Sequence, residues 1–135
     1  MAQIVDTGRS LTSSGSQTLS LPIVSAPNTL TLAEFGLSVA ANGVVQLEGT
    51  VGFQTTLGVP NVIFRILRNG QQIFNIGASG LTVLAIQPVG ISFQDRNVPA
   101  GYHSYTLTVS NNSLNTLLNL ASITGPIEFS GISIG

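Results

Sequence analysis

The sequence predicts an all-β sandwich of about eight to ten antiparallel strands, and three observations predict it. Apolar and polar residues alternate over much of the chain, Gly and Pro punctuate it at short intervals, and no segment keeps a convincing helical period. At 135 residues the chain has the length of one domain. That length buries about two-thirds of the unfolded surface, enough for a core without disulfides or metal.

The elements follow in chain order. Residues 1–16 include a small, polar, glycine-bearing stretch, Asp6 to Ser16, with neither period, and are read as a flexible arm ahead of a domain at 17–135. The arm still carries Ile4, Val5 and Leu11, which a plain spacer would not need. Leu19, Leu21 and Ile23 then alternate with Thr18 and Ser20 until Pro22 and Pro27 interrupt, as in an edge strand. The segment 29–41 is the one helical candidate, and its Gly36, Val39 and β-rich surroundings argue against a helix. Val45, Leu47, Gly49, Val51 and Phe53 alternate with Gln46, Glu48, Thr50 and Gln54, giving the clearest half-buried strand.

Asn69-Gly70 is the clearest turn, because both residues tolerate the positive φ of a two-residue type I′ hairpin loop. Counting outward pairs Arg68 with Gln71, Ile66 with Ile73, Phe64 with Asn75 and Ile63 with Ile76. Val62, Phe64 and Ile66 share one face, and Ile63 and Leu67 share the other with Arg65. Further strands are expected at 81–86, 89–93, 102–109, 117–123 and 127–134, with turns at Pro88, Pro99-Ala-Gly101, Asn111-Asn112 and Gly125-Pro126. These features specify a sandwich or jelly roll.

Charge is scarce: four Arg, no Lys and five acidic residues make 7% of the chain, against ~25% in ordinary domains. A monomer of this mass exposes roughly 6,700 Å², so each charge has roughly 700 Å² to itself. That exceeds the largest apolar patches usual on monomers. Such a protein is expected to hide surface in an assembly. Nucleic-acid binding is not expected, since the Arg residues are scattered and form no basic patch. No run approaches 18 apolar residues, so no membrane insertion is expected, and the first residues lack the basic and apolar regions of a secretory signal.

Little chemistry is visible. The one histidine, His103, cannot make a zinc site alone, and is read as a turn-adjacent residue on a strand face. Asp95-Arg96 reads as a local ion pair or loop cap. There is no Gly-x-Ser-x-Gly elbow and no phosphate loop, and Glu48 and Glu128 lie on different expected strands. Cysteine is absent. The expectation is a protein that is not an enzyme and holds no metal or cofactor. Most aromatic residues sit at strand period and belong to the core, whereas Tyr102, beside Gly101, is expected to be exposed.

Three segments resemble a known family. Asn61 to Phe74 resembles the central Asn-Gly hairpin of C1q/TNF-like jelly rolls, and Gly125-Pro-Ile-Glu-Phe-Ser-Gly-Ile-Ser-Ile134 is similar to their closing strand. Pro99 to Val109 resembles a strand of the same fold entered from a Gly turn. In character the chain is closest to the carboxy-terminal domains of collagen-like glycoproteins on bacterial spore surfaces, without the collagen stalk, and more loosely resembles the subunits of thin endospore appendages.

That resemblance implies a homotrimer around a three-fold axis, with Phe53, Phe64, Tyr105 and Phe129 in the core or at the trimer interface. It also implies polymerisation into a fibre on the spore surface, with an N-terminal segment docked on the next ring and a capping or anchoring protein as partner. Sixteen extended residues reach about 50 Å, beyond a body roughly 35 Å across. Ile4, Val5 and Leu11 would anchor the arm on a neighbour. Two further functions fit the same fold: a trimeric knob that reads a carbohydrate or receptor, and a viral coat subunit.

Overall fold

The structure, a computed structural model, describes residues 3–13, 20–80 and 83–135. Nine strands make two antiparallel sheets: β1 (Ile4–Ser13), β2 (Leu21–Pro22), β3 (Leu30–Val39), β4 (Gly43–Leu57), β5 (Asn61–Arg68), β6 (Gln71–Ser79), β7 (Ile86–Val98), β8 (Gly101–Asn111) and β9 (Leu120–Ile134). One sheet runs β1-β9-β4-β7, with β2 also on β9; the other runs β3-β8-β5-β6. Chain neighbours mostly fall in opposite sheets, as in a jelly roll. No helix occurs among the described residues.

The inward sides of both sheets meet in one core. The predicted alternation in β4 holds: Val45, Leu47, Val51 and Phe53 are fully buried. From the facing sheet come Leu37, Phe64, Ile66, Tyr105 and Leu107, each at most 1% exposed. Phe35 packs between Tyr105 and Phe129, at ring-centroid distances of 5.9 and 4.9 Å.

The hairpin turn is as predicted, with Asn69 at φ 51° and Gly70 at φ 85°, and Arg68 opposite Gln71. Its register then departs from a straight count. Leu67 pairs with Gln72 but Ile66 pairs with Phe74, so Ile73 is an extra, bulged residue. The cause is burial. An unbroken register would set Asn75 beside Phe64 on the core face; the bulge flips the strand, so that Phe74, Ile76 and Ala78 pack against the core.

The expected flexible arm at 1–16 is corrected over the part described. Residues 4–13 are strand β1, paired along β9 from Ile4↔Ile134 to Ser13↔Ile127, so the sandwich does not begin at residue 17. Gly8 lies against the Phe35 ring, where any Cβ would collide, and the Ser38 amide donates to Asp6 Oδ2 at 2.8 Å. None of residues 4–11 is buried. Backbone bonds rather than apolar contacts hold the strand, so it leaves no apolar period in the sequence. The rest of the arm and the start of the expected edge strand at 17–23 fall partly outside the described residues; Leu21–Pro22 does pair with Ile123 and Ser122.

No helix forms at 29–41, as its Gly36, Val39 and surroundings imply; the segment holds strand β3, which brings Phe35 into the core. Two other expectations change. The strand expected at 89–93 runs from Ile86 to Val98, while the one expected at 81–86 is partly outside the described residues and a turn at Leu84, where φ is 67°. The segments 117–123 and 127–134 form one strand, β9, beginning only at Leu120 and passing Gly125-Pro126 with a register shift against β4.

Candidate functional site

The sandwich has two unlike ends. At one end lie the loops after β3, β5 and β7, residues 40–42, 69–70 and 99–100. At the other lie the loops after β2, β4, β6 and β8, whose described residues are 23–29, 58–60, 80, 83–85 and 112–119.

The first end is pinned by polar side chains. Asp95, on β7, is buried and accepts from Arg68 Nη1 at 2.6 Å and from the Tyr105 hydroxyl at 2.8 Å, both on the facing sheet. Burial first, and then the hydrogen bond to Asp95, hold the Tyr105 hydroxyl well above the ordinary tyrosine range. The hydrogen bond to Asp95 likewise raises Arg68. His103, nearly buried on β8, lies 2.8 Å from Asn69 Nδ2 through Nδ1 and 2.7 Å from the Pro99 carbonyl through Nε2. Because Asn69 Oδ1 accepts from the Ser104 amide, Nδ2 is the group facing His103. Nδ1 therefore accepts, and the ring proton sits on Nε2, donated to Pro99. Both ring nitrogens are engaged inside the fold. Among the described residues no three His, Cys, Asp or Glu side chains gather as a metal site would require.

The second end is the candidate functional site. Its four loops contain no Asp, Glu, Lys or Arg. Of the fourteen large hydrophobic residues exposed among those described, seven lie in these loops and two more, Leu57 and Leu120, on the strand ends beside them, so this end holds most of the exposed large apolar side chains. Leu114 is fully exposed (109%), followed by Leu117 (82%), Leu84 (68%), Leu118 (61%) and Val59 (56%).

The loop after β8 shows how leucines come to face outward. Asn side chains satisfy its backbone: Asn111 Oδ1 accepts from the Ser113 amide at 3.1 Å, and Asn115 Oδ1 from the Leu117 amide at 3.2 Å. Asn111 Nδ2 donates to the Asn119 carbonyl at 2.7 Å, and Asn119 Nδ2 to the Asn115 carbonyl at 2.8 Å. Asn111 is buried and Asn119 half-buried beneath the loop, while Leu114, Leu117 and Leu118 face outward. The same bonding ties the loops together. The Val59 amide donates to Asn119 Oδ1, the Asn61 amide to Ser113 Oγ and the Leu84 amide to the Thr55 carbonyl, at 2.9, 2.9 and 2.7 Å.

The residues expected to act at interfaces are placed as follows. Ile4, Val5 and Leu11 lie on β1 and are exposed by 67%, 43% and 49%. Phe53, Tyr105 and Phe129 are fully buried and Phe64 is 1% exposed inside a single chain, so they have no surface to present at a three-fold axis. Tyr102 is 66% exposed and its ring lies over Gly36 of the neighbouring strand. The loop end is a feature that sequence reasoning misses. Its one signal is the conjunction of leucines with Asn, Ser and Thr and no charge over 112–120, a stretch whose latter part reads as the start of a strand.

No protein-family model matches the chain, and no curated protein matches it. Among solved structures it is similar to the VP2 subviral particle of infectious bursal disease virus, with TM-score 0.52 and 12% identity over 98% of this chain. The Gx strain of the same virus gives the same values. In each case the match covers 32% of the viral chain, so this chain spans about a third of its length. A family 35 carbohydrate-binding module from an environmental isolate matches at TM-score 0.41 and 14% identity, over 94% of this chain and 95% of that one. At 12% identity the viral likeness is one of fold: a jelly-roll-like β-sandwich.

Proposed function

We propose that the chain is a non-enzymatic structural subunit that self-assembles, forming homotrimers that polymerise through the N-terminal segment into a surface fibre or coat. The observation that carries this reading is the state of β1. It completes the edge of a sheet through backbone bonds to β9, yet none of residues 4–11 is buried, so little side-chain burial ties it to its own subunit. The segment expected to dock on a neighbour thus occupies a slot along its own β9. Polymerisation then proceeds by exchange, with β1 of one subunit pairing along β9 of the next. Backbone pairing of this kind is strand addition, and a head-to-tail contact that does not close on itself makes a filament.

Two further points support the reading. Nine ionised residues over 6814 Å² of surface give little repulsion between copies. The fold is shared with part of a viral capsid protein, which favours a coat over a receptor-binding knob. Trimer formation and a place on a spore surface rest on the C1q/TNF-like resemblance, as does a capping partner.

Negative-stain electron microscopy and light scattering of the full chain, beside a variant lacking residues 1–13, test the reading. Filaments or large rings are expected from the full chain, and discrete, trimer-based particles that no longer polymerise from the truncation. A full chain that stays monomeric overturns the proposal, and filaments that survive the truncation overturn the role of β1.

A second reading, a carbohydrate-binding knob, is favoured by Tyr102, whose exposed ring lies across Gly36 beside Ser104 and Thr106. Binding on a glycan array that Tyr102→Ala abolishes would establish it, and a blank array would remove it.

A further inference from the structure

We infer that the uncharged loop end is a docking surface for a second copy of this chain, joining two sandwiches end to end. The inference rests on the self-assembly reading but uses a different surface from β1.

Size is the first argument. Burial energies of ~2.5 kcal/mol for a Val or Leu at ~25 cal/mol per Å² imply about 100 Å² of apolar side chain each. Scaled by their exposed fractions, the nine residues of the loop end present on the order of 500 Å². A standard interface buries ~800 Å² per partner, about 65% of it apolar in homodimers, which is again about 500 Å². The patch has the area that half of a stable dimer contact needs.

Chemistry selects the occupant. A two-fold contact sets a patch against itself, and any charge in it risks meeting its like. These loops contain no charge at all. A basic or acidic partner finds nothing here to pair with. A bilayer surface is disfavoured by the same composition, since interfacial binders carry Lys or Arg and aromatic residues beside their apolar face. The surface is also pre-ordered: the Asn111, Asn115 and Asn119 bonds fix the loop that presents Leu114, Leu117 and Leu118, which lowers the ordering cost of association.

The absence of cysteine gives a clean test. Leu84→Cys, Leu114→Cys and Leu117→Cys are made singly in the full chain and treated with a short bis-maleimide, with Ser92→Cys on the outer face of β7 as control. Covalent dimer is expected from at least one loop-end variant, at ten or more times the control yield, and its loss in a Leu118→Asp background. Assembly by light scattering without loop-end cross-linking overturns this inference and leaves the self-assembly reading standing. A monomeric full chain with no cross-linking overturns both. Flotation of the uncross-linked chain with phosphatidylcholine vesicles would make lipid the occupant and also overturn the inference.

Discussion

The two ends of the sandwich solve opposite problems with the same kinds of residue. At the end bearing Asn69, Asn and charged side chains bridge strands and turns, and every connecting loop is two or three residues long. At the other end Asn side chains fold the loop after β8 and tie it to the loop after β4, and aliphatic side chains are left facing solvent. The difference separates two uses of a polar group. Asp95 and Asn69 hold one sheet to the other or one strand to the next, and their loss should be felt in stability. Asn115 and Asn119 hold a shape whose outer surface adds nothing to the core, and its loss should be felt in association.

Substitutions can break that division. Asp95→Ala should have the largest effect on stability, about 3 kcal/mol in urea denaturation, because it strands Arg68 and the Tyr105 hydroxyl at once. Tyr105→Phe leaves the ion pair and should cost about 1 kcal/mol by the same measurement.

Alkaline titration sharpens the point. The folded state holds the Tyr105 proton above the unfolded value near 10, so its contribution is complete below that pH and is lost as pH rises through the folded value. The urea midpoint should therefore fall above about pH 10, and less steeply in Tyr105→Phe.

Thr55→Val, near the loop end, should raise stability by about 1 kcal/mol, since the Thr55 hydroxyl is buried without a hydrogen-bond partner. Leu114→Asp should change stability by less than about 0.5 kcal/mol, yet reduce the assembled mass in light scattering. An Asp95→Ala that leaves stability untouched, or a Leu114→Asp that unfolds the chain, would dissolve the contrast between the ends.

How much of this is legible in the sequence follows from what each element is made of. The β4 alternation is readable because one face meets a core and the other meets solvent, and Asn69-Gly70 because its backbone angles restrict residue choice. β1 is hidden because it is held by its backbone and packs a glycine, Gly8, against Phe35. β3 is obscured by a bulge between Thr31 and Ala33 that breaks its period. The bulge at Ile73 depends on the packing of Phe74 and Ile76, which local sequence does not contain. The loop end escapes for a related reason. Leucines in a short Asn-rich segment look like the start of a strand until the loop's hydrogen bonds show that they face outward.

The position of β9 has a consequence for the order of events in folding. It is the shared partner of β1, β2 and β4, all of which precede it in the chain by more than sixty residues. Until β9 is in place, only the β4–β7 pair of that sheet can form, while the β3-β8-β5-β6 sheet has all its partners by Asn111. Contacts this distant in sequence are slow to close. β3–β8 spans a similar distance, so the β5–β6 hairpin and the shorter-range β5–β8 and β4–β7 pairs should be protected from hydrogen exchange first during refolding, with β1, more than a hundred residues from its β9 partners, docking last, and for that interval β1 is free to find the β9 of another molecule.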